Sequence, residues 1–181
     1  MLNSNDADLV KRAQGGDVNA VGELYDRHHE SIFRYVQSRV GERNLAEDLT
    51  GEIFTRMVTS LPGYRLRGIP FRAWLYRIAR NLVVDHYRKE SGRLSVPLYH
   101  AESTGEAGGN PASIIEQKLT LERVQRVLAR LDPSQQEVVV LRFLLGLSLR
   151  EAALTLNKTV AAVKSLQHRG LKALRVALEQ A

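Results

Sequence analysis

The chain has 181 residues, of which 44% are hydrophobic and 25% charged, and its formal net charge is +6. This composition is typical of a globular protein with one large or two small cores. The absence of Cys excludes disulfide frameworks, thiolate catalysis and Cys-ligated zinc. No apolar run approaches the ~20 residues of a membrane span, and the N-terminus lacks a secretory signal. We therefore expect a cytoplasmic protein with no membrane insertion.

The predicted elements of the first half are helices. Apolar residues recur with a period of about 3.6 over 21–36, 45–61 and 71–82, and the second of these stripes stops at Pro62-Gly63. Residues 8–20 are predicted to form a short amphipathic helix with Leu9, Ala13 and Val18 on its apolar side. The sequence assigns no role to this helix. Since alternation with a period of two is sustained nowhere, the sequence predicts an all-α fold.

A linker separates two predicted domains. Residues 91–113 hold Gly, Ser, Pro and Asn with little periodicity, whereas a helical stripe resumes at 114–131. A flexible coil of this length has a root-mean-square span of about 26 Å. The sequence thus predicts two small helical domains, 1–90 and 114–181, on a flexible tether, and nothing in it requires them to form a tight interface.

The C-terminal domain carries the pattern of a helix-turn-helix. Asp132-Pro133 reads as a helix start, and Ser148 with Glu151 reads as a capping box for a short helix. Asn157 suits the end of that helix, and Thr159 suits the cap of the next. In such a unit the second helix enters the major groove of DNA. The alternative is a basic helical hairpin that is used only for packing.

The charge is concentrated in two blocks. Residues 65–90 carry seven basic and two acidic residues, and residues 133–181 carry seven basic and three acidic residues. In the second block, several side chains in the first turns of the second helix of the helix-turn-helix can donate hydrogen bonds to base edges: Lys164, Ser165, Gln167, His168 and Arg169. Further cations suit backbone phosphates: Arg150, Lys158, Lys172 and Arg175.

The first block mixes aromatic and basic residues in the run YRLRGIPFRAWLYRIARNLVVDHYRK. Bases of single-stranded nucleic acid stack on aromatic rings while cations hold the backbone. Arg77, Asn81 and Asp85 share one helix edge, and Arg88 follows them. The competing interpretation is that Phe71, Trp74 and Leu75 are core residues, with Trp74 serving both roles.

Three segments resemble a known family: AEDLTGEIFTRM (46–57), FRAWLYRIARNLVVDHYRK (71–89) and GLSLREAALTLNKTVAAVKSLQHRGLKALR (146–175). In this order they resemble bacterial RNA polymerase sigma factors of the small, two-domain extracytoplasmic-function type (group IV). The resemblance covers roughly residues 20–90 and 114–176. It implies a factor, not itself an enzyme, that directs core RNA polymerase to promoters and opens the DNA strands.

The resemblance also implies roles for individual residues. Those that match the helix docking on the polymerase clamp are Glu47, Asp48, Glu52 and Phe54. Those that match the region capturing and melting the minus-ten element are Arg65, Arg67, Phe71, Trp74, Arg77, Asn81, Arg88 and Lys89. Those that match the helix reading the minus-thirty-five element are Thr159, Lys164, Ser165, His168, Arg169 and Lys172. The C-terminal domain also looks like one that binds the polymerase flap, and anti-sigma proteins commonly hold this family inactive.

Two other functional classes compete with this interpretation. A stand-alone helix-turn-helix regulator would dimerise on a palindromic site, but the sequence offers neither an obvious dimer helix nor a sensory pocket. A nucleic-acid enzyme would need a metal cluster, a phosphate-binding Gly loop or a nucleophile elbow, and no such motif occurs. We therefore expect no cofactor and no metal.

Overall fold

The computed structural model describes residues 5–65, 68–91, 127–128 and 130–179. Four helices and one short 3-10 turn form the N-terminal half. They are α1 (Asp6–Gln14), α2 (Val18–Val40), α3 (Arg43–Ser60), the 3-10 turn (Leu61–Gly63) and α4 (Phe71–Ser91). The predicted break at Pro62-Gly63 is confirmed, because α3 stops just before it.

Three helices and one π-helical turn form the described C-terminal half. They are α5 (Pro133–Val139), the π-helical turn (Val140–Leu144), α6 (Leu149–Leu156) and α7 (Val160–Glu179). The described residues contain no strand, as the all-α prediction requires. The predicted linker and the helical stripe over 114–126 lie outside the described residues.

The N-terminal segment differs from its prediction. Instead of one helix over 8–20, α1 ends at Gln14 and α2 begins at Val18, with Gly15 and Gly16 between them. Gly16 has a φ of +91°, a conformation that suits glycine and that a helix cannot continue. Consequently Val18, which was expected on the apolar stripe, is 80% exposed at the start of α2.

The two halves share one hydrophobic core. Residues of α2, α3 and α4 pack in the same cluster as Val138, Leu141 and Leu156. Polar contacts reinforce this packing, since Thr155 Oγ1 donates to the backbone oxygen of Ala73 at 3.3 Å. The described halves therefore touch over a buried interface that the sequence did not predict.

Candidate nucleic-acid interface

Helix α7, which carries the predicted recognition residues, follows caps that the sequence predicted. Ser148 Oγ accepts from the backbone N–H of Glu151 at 3.1 Å, and the Glu151 carboxylate accepts from the Ser148 N–H at 2.7 Å. Asn157 adopts the left-handed conformation, with φ of 53°. Thr159 Oγ1 then accepts from the Ala162 N–H at 3.1 Å. Because each cap satisfies orphan backbone groups, α6 ends and α7 begins at defined residues.

One face of α7 is cationic and open. Val163 and Gly170 are buried on the opposite face, which turns a row of polar side chains outward. The six residues of the predicted recognition surface are all exposed: Thr159, Lys164, Ser165, His168, Arg169 and Lys172. Four of them line one shallow groove together with Ala161. The arrangement offers several donors to a ligand rich in acceptors.

Gln167 departs from this pattern. Its Oε1 accepts from Nε of Arg142 at 2.9 Å, and Arg142 also donates to the backbone oxygen of Leu147. Gln167 is thereby held toward the π-helical turn, and this contact occupies the amide oxygen that a bidentate contact with adenine needs. The sequence could not show this, because the two partners are separated by 25 positions.

The aromatic block on α4 lies around Trp74. The Trp74 ring centroid is 4.6 Å from that of Tyr64 and 5.7 Å from that of Phe71. Trp74 is only partly buried, so it combines packing with an accessible surface. Burial and the nearby carboxylate of Asp6 raise the pKa of Tyr64, which keeps its hydroxyl protonated as a donor.

The remaining residues of the predicted minus-ten surface divide by exposure. Arg77 is partly buried, and four are exposed: Arg65, Asn81, Arg88 and Lys89. Arg88 forms an ion pair with Asp85 at 3.1 Å, a surface contact of small stability. Arg67 lies outside the described residues. The two exposed cations on α4, Arg88 and Lys89, lie near its C-terminal end.

The predicted clamp-binding residues lie on α3. Glu47, Asp48 and Glu52 are exposed. Two of them form i,i+4 ion pairs, Glu47 with Arg43 at 2.9 Å and Glu52 with Arg56 at 2.6 Å. This face is therefore acidic, but its charge is partly neutralised by Arg43 and Arg56 of the same helix.

Two aromatic residues require a correction. Phe54 and Phe71 were expected to face a partner, but they are only 5% and 4% exposed. Phe54 packs against Tyr25, with ring centroids 4.7 Å apart, and Phe71 packs between Tyr64 and Trp74. Apolar area that is buried in the core is unavailable to a partner, so these rings support the surfaces from below.

Among the described residues, no group of three or more His, Asp or Glu side chains could hold a metal ion. No described helix is both long and apolar enough to cross a membrane.

Comparison with known proteins places these surfaces in a family. The family model of Sigma-70 region 2 matches residues 24–93, which include α3 and α4, and that of Sigma-70 region 4 matches residues 121–174, which include α5 and α6. Together the two matches cover well over half of the chain. The chain is also 33% identical to an ECF RNA polymerase sigma factor of which it covers 81%. The chain belongs to the ECF RNA polymerase sigma factors. The resemblance stated from the sequence is therefore confirmed.

Relatives of this sigma factor span nearly its whole length. It is 40% identical to the ECF sigma factor BldN of Streptomyces coelicolor over 92% of this chain, and the chain spans 63% of BldN. It is 33% identical to SigD of Mycobacterium tuberculosis, over 92% of this chain and 81% of SigD. The solved structure of CnrH in complex with the cytosolic domain of CnrY has a TM-score of 0.73, with 28% identity over 97% of both chains.

Two further side chains of this sigma factor lie against the aromatic block, and the sequence assigned no role to Gln14. Gln14 at the end of α1 and Tyr64 at the start of the 64–70 loop make contacts that hold the base of the aromatic block. No local signal marks Gln14, since its partners lie 47 and 50 positions away.

Proposed function

We propose that this sigma factor divides promoter recognition between its two regions and performs no bond chemistry of its own. Residues 1–90 bind core RNA polymerase and the minus-ten element, residues 91–113 are a linker, and residues 114–181 bind the minus-thirty-five element and the polymerase flap. The observation that carries this proposal is that two separate cationic surfaces, on α4 and α7, are both exposed. A cytoplasmic location follows from these partners.

Strand opening is assigned to the aromatic block. Unstacking a base costs a few kcal/mol per step. Stacking on an aromatic side chain such as Trp74 returns about 1–3 kcal/mol per base, and Arg77, Arg88 and Lys89 add contacts to the phosphate backbone. Because these terms nearly balance, small changes in the position of Trp74 have large effects on opening.

Duplex reading is assigned to α7. Lys164, Ser165, His168 and Arg169 contact base edges, whereas Thr159 and Lys172 flank them. Core polymerase, held by Glu47, Asp48 and Glu52, raises the effective concentration of each region at its element. Neither region then needs to bind DNA tightly alone.

Run-off transcription with purified core polymerase tests the proposal. We expect initiation at defined upstream sequences only when this chain is added. A chain that binds core polymerase without ever initiating, or that dimerises on a palindrome in its absence, would overturn it. The second outcome would restore the stand-alone regulator, which family membership does not favour.

The roles on α7 predict a difference between base-reading and phosphate contacts. Lys164→Ala and His168→Ala should reduce discrimination at the minus-thirty-five element by about 1–3 kcal/mol while core binding is unchanged. Arg150→Ala, the control, should weaken all sequences evenly and reduce the salt dependence of binding. Competition binding of holoenzyme to single-base variants of the element measures both effects. Equal losses on every sequence for all three variants would contradict the assignment.

A regulatory protein is also part of the proposal. The related CnrH was solved together with the cytosolic domain of CnrY, and the likeness to that structure covers 97% of this chain. We expect a partner of the anti-sigma class to hold this factor inactive. Co-purification from the native cell, followed by inhibition of run-off transcription with the isolated partner, tests this expectation.

A further inference from the structure

Helix α1 lies outside the matched family regions, the first of which begins at residue 24, yet it is fastened at both ends. At its start, Asp6 Oδ1 accepts from Arg27 at 2.8 Å, and Asp6 Oδ2 lies 2.9 Å from Nε2 of His28. Leu9 and Val10 are completely buried beneath it. The helix therefore has a defined position on α2, and its last residue is held where that position places it.

That last residue, Gln14, contacts the chain just before the aromatic block. Its Nε2 donates to the backbone oxygen of Leu61 and to that of Tyr64, both at 2.8 Å. A side-chain amide nitrogen carries two hydrogens, so both bonds form at once and saturate it. The two carbonyls belong to the 3-10 turn and to the first residue of the 64–70 loop, which are thereby fixed relative to each other.

Tyr64 links this fixed point to Ile69 and to Trp74. Its hydroxyl donates to the backbone oxygen of Ile69, next to the residue that precedes α4. Its ring lies 4.6 Å from that of Trp74, and it is only 8% exposed. A displacement of Tyr64 would therefore move the end of the loop and the packed side of Trp74 together.

We propose that Gln14 is a positioning residue for strand opening. Through its paired hydrogen bonds it sets the position of Tyr64, and through Tyr64 it sets the position of Ile69 and the face that Trp74 presents to an unstacked base. This inference rests on the proposed function, because it assigns α1 to the minus-ten surface. The competing explanation is that α1 contributes only to the stability of the fold.

The decisive variant is Gln14→Glu, which keeps the shape of the side chain. It replaces the donor nitrogen by a carboxylate oxygen that faces two carbonyl oxygens, so both bonds are lost and repulsion replaces them. In holoenzyme we expect strand opening to slow about tenfold, measured with 2-aminopurine in the non-template strand of a promoter that the wild type uses. Affinity for core polymerase and for the duplex minus-thirty-five element should stay within twofold of wild type.

A second readout separates positioning from stability. On a template whose minus-ten region is already opened by mismatches, the variant should initiate within twofold of wild type, since the opening step is bypassed. Arg12→Ala, on the same helix as Gln14, is the matched control: it removes the exposed ion pairs with Asp17 and Glu23 at the start of α2 and should open DNA like the wild type. Wild-type initiation in the same assay verifies the proposed function independently.

Tyr64→Phe provides an independent variant, since it removes the hydroxyl that meets Ile69 and keeps the ring. It should show the same slow opening and the same rescue. Because it leaves both hydrogen bonds of Gln14 intact, Gln14→Ala, which removes them without repulsion, decides the question if Gln14→Glu does not fold. The proposal is overturned if any of these folded variants opens duplex promoter at the wild-type rate. It is equally overturned if the mismatched template gives no rescue, or if core binding falls as much as opening does.

Discussion

Single residues fasten the N-terminal helix by charge. The Asp6 carboxylate receives hydrogen bonds from Arg27 and His28 while a quarter of the side chain remains exposed. Burial by itself would raise the pKa of Asp6, but hydrogen bonds and electrostatic interactions with His28 and Arg27 lower it below its ordinary value. A carboxyl group whose pKa is depressed by folding stabilises the folded state when it is ionised.

Asp6→Asn should therefore lower the free energy of unfolding at pH 6 by about 1 kcal/mol. The reason is that a charge-assisted hydrogen bond is lost at a partly exposed site, where solvent screening reduces its contribution. The contribution of Asp6 is complete above the unfolded pKa of about 3.8 and disappears as the pH falls through the lower folded pKa. Urea unfolding at pH 6, 4 and 3 should show the difference between variant and wild type shrinking. Asp8→Asn, an exposed carboxylate on the same turn, serves as control, and an equal loss in both variants would contradict the ion-pair explanation.

At the scale of elements, α7 packs on α5 through a glycine. Gly170 is buried, and a Cβ built there would lie 3.0 Å from Cγ2 of Val139 and 3.4 Å from the backbone oxygen of Gln135. Val139 is 5% exposed and belongs to a second core cluster with Leu128 and Leu131. Since a β-branched side chain in a helix has one strongly preferred rotamer, Val139 has little room to yield.

Gly170→Ala should consequently fail to stabilise the protein. The helix-propensity gain of about 1 kcal/mol is opposed by an overpacking cost of roughly 1–3 kcal/mol, so we expect a net loss of about 1 kcal/mol. Gly22→Ala is the matched control, because it lies within α2 and its Cβ would meet nothing within 4 Å. It should gain up to about 1 kcal/mol. Chemical denaturation of both variants measures the contrast, and a gain at Gly170 would show that α5 and α7 pack more loosely than described.

At the scale of the whole molecule, the two halves are joined by polar contacts around the shared core. Arg80 on α4 forms a bidentate ion pair with Glu137 on α5, with N···O distances of 2.6 and 3.3 Å. Burial lowers the pKa of Arg80, but Glu137 more than compensates and raises it. Arg39, which is 2% exposed, donates to Gln136 at 3.4 Å. Because Arg80 and Glu137 are both charged and partly buried, removal of either one leaves the other with an uncompensated desolvation cost.

The proposed function requires contact with two promoter elements, and halves packed in this way are too close together to reach both. A compact chain of 181 residues has a radius of gyration of about 16 Å, or roughly 40 Å across. Elements named minus-ten and minus-thirty-five are about 25 base pairs apart, roughly 85 Å along straight DNA. The interface between the halves is therefore expected to open on the polymerase.

Glu137→Arg places two cations face to face and should shift the free protein toward separated halves. We expect small-angle scattering to show a radius of gyration larger by on the order of 5 Å, since the predicted linker spans about 26 Å. Glu179→Arg is the control, because its ion pair with Arg175 lies on the surface of α7. An unchanged radius for Glu137→Arg would mean that the apolar part of the interface suffices to hold the halves together.

Local patterns in the sequence determined much of this protein. The helical period, the capping box at Ser148 and Glu151, the left-handed Asn157 and the break at Pro62 each depend on neighbouring residues, and all four appear in the structure. The exposed polar face of α7 could be predicted in the same way, because helix geometry places Lys164 and His168 on one side. The family resemblance rested on these same segments.

The packing of the helices determines which side chains face inward and which distant residues they contact. The helical period of apolar residues did not show that Phe54 and Phe71 are covered by other rings. It also did not show that Gln14 donates to the backbone oxygen of Tyr64, about 50 positions away. Nor did it show the contact of Arg80 with Glu137 across 57 positions. Burial and hydrogen bonding between remote segments depend on how whole helices pack against each other, whereas caps and periods are properties of a few consecutive residues.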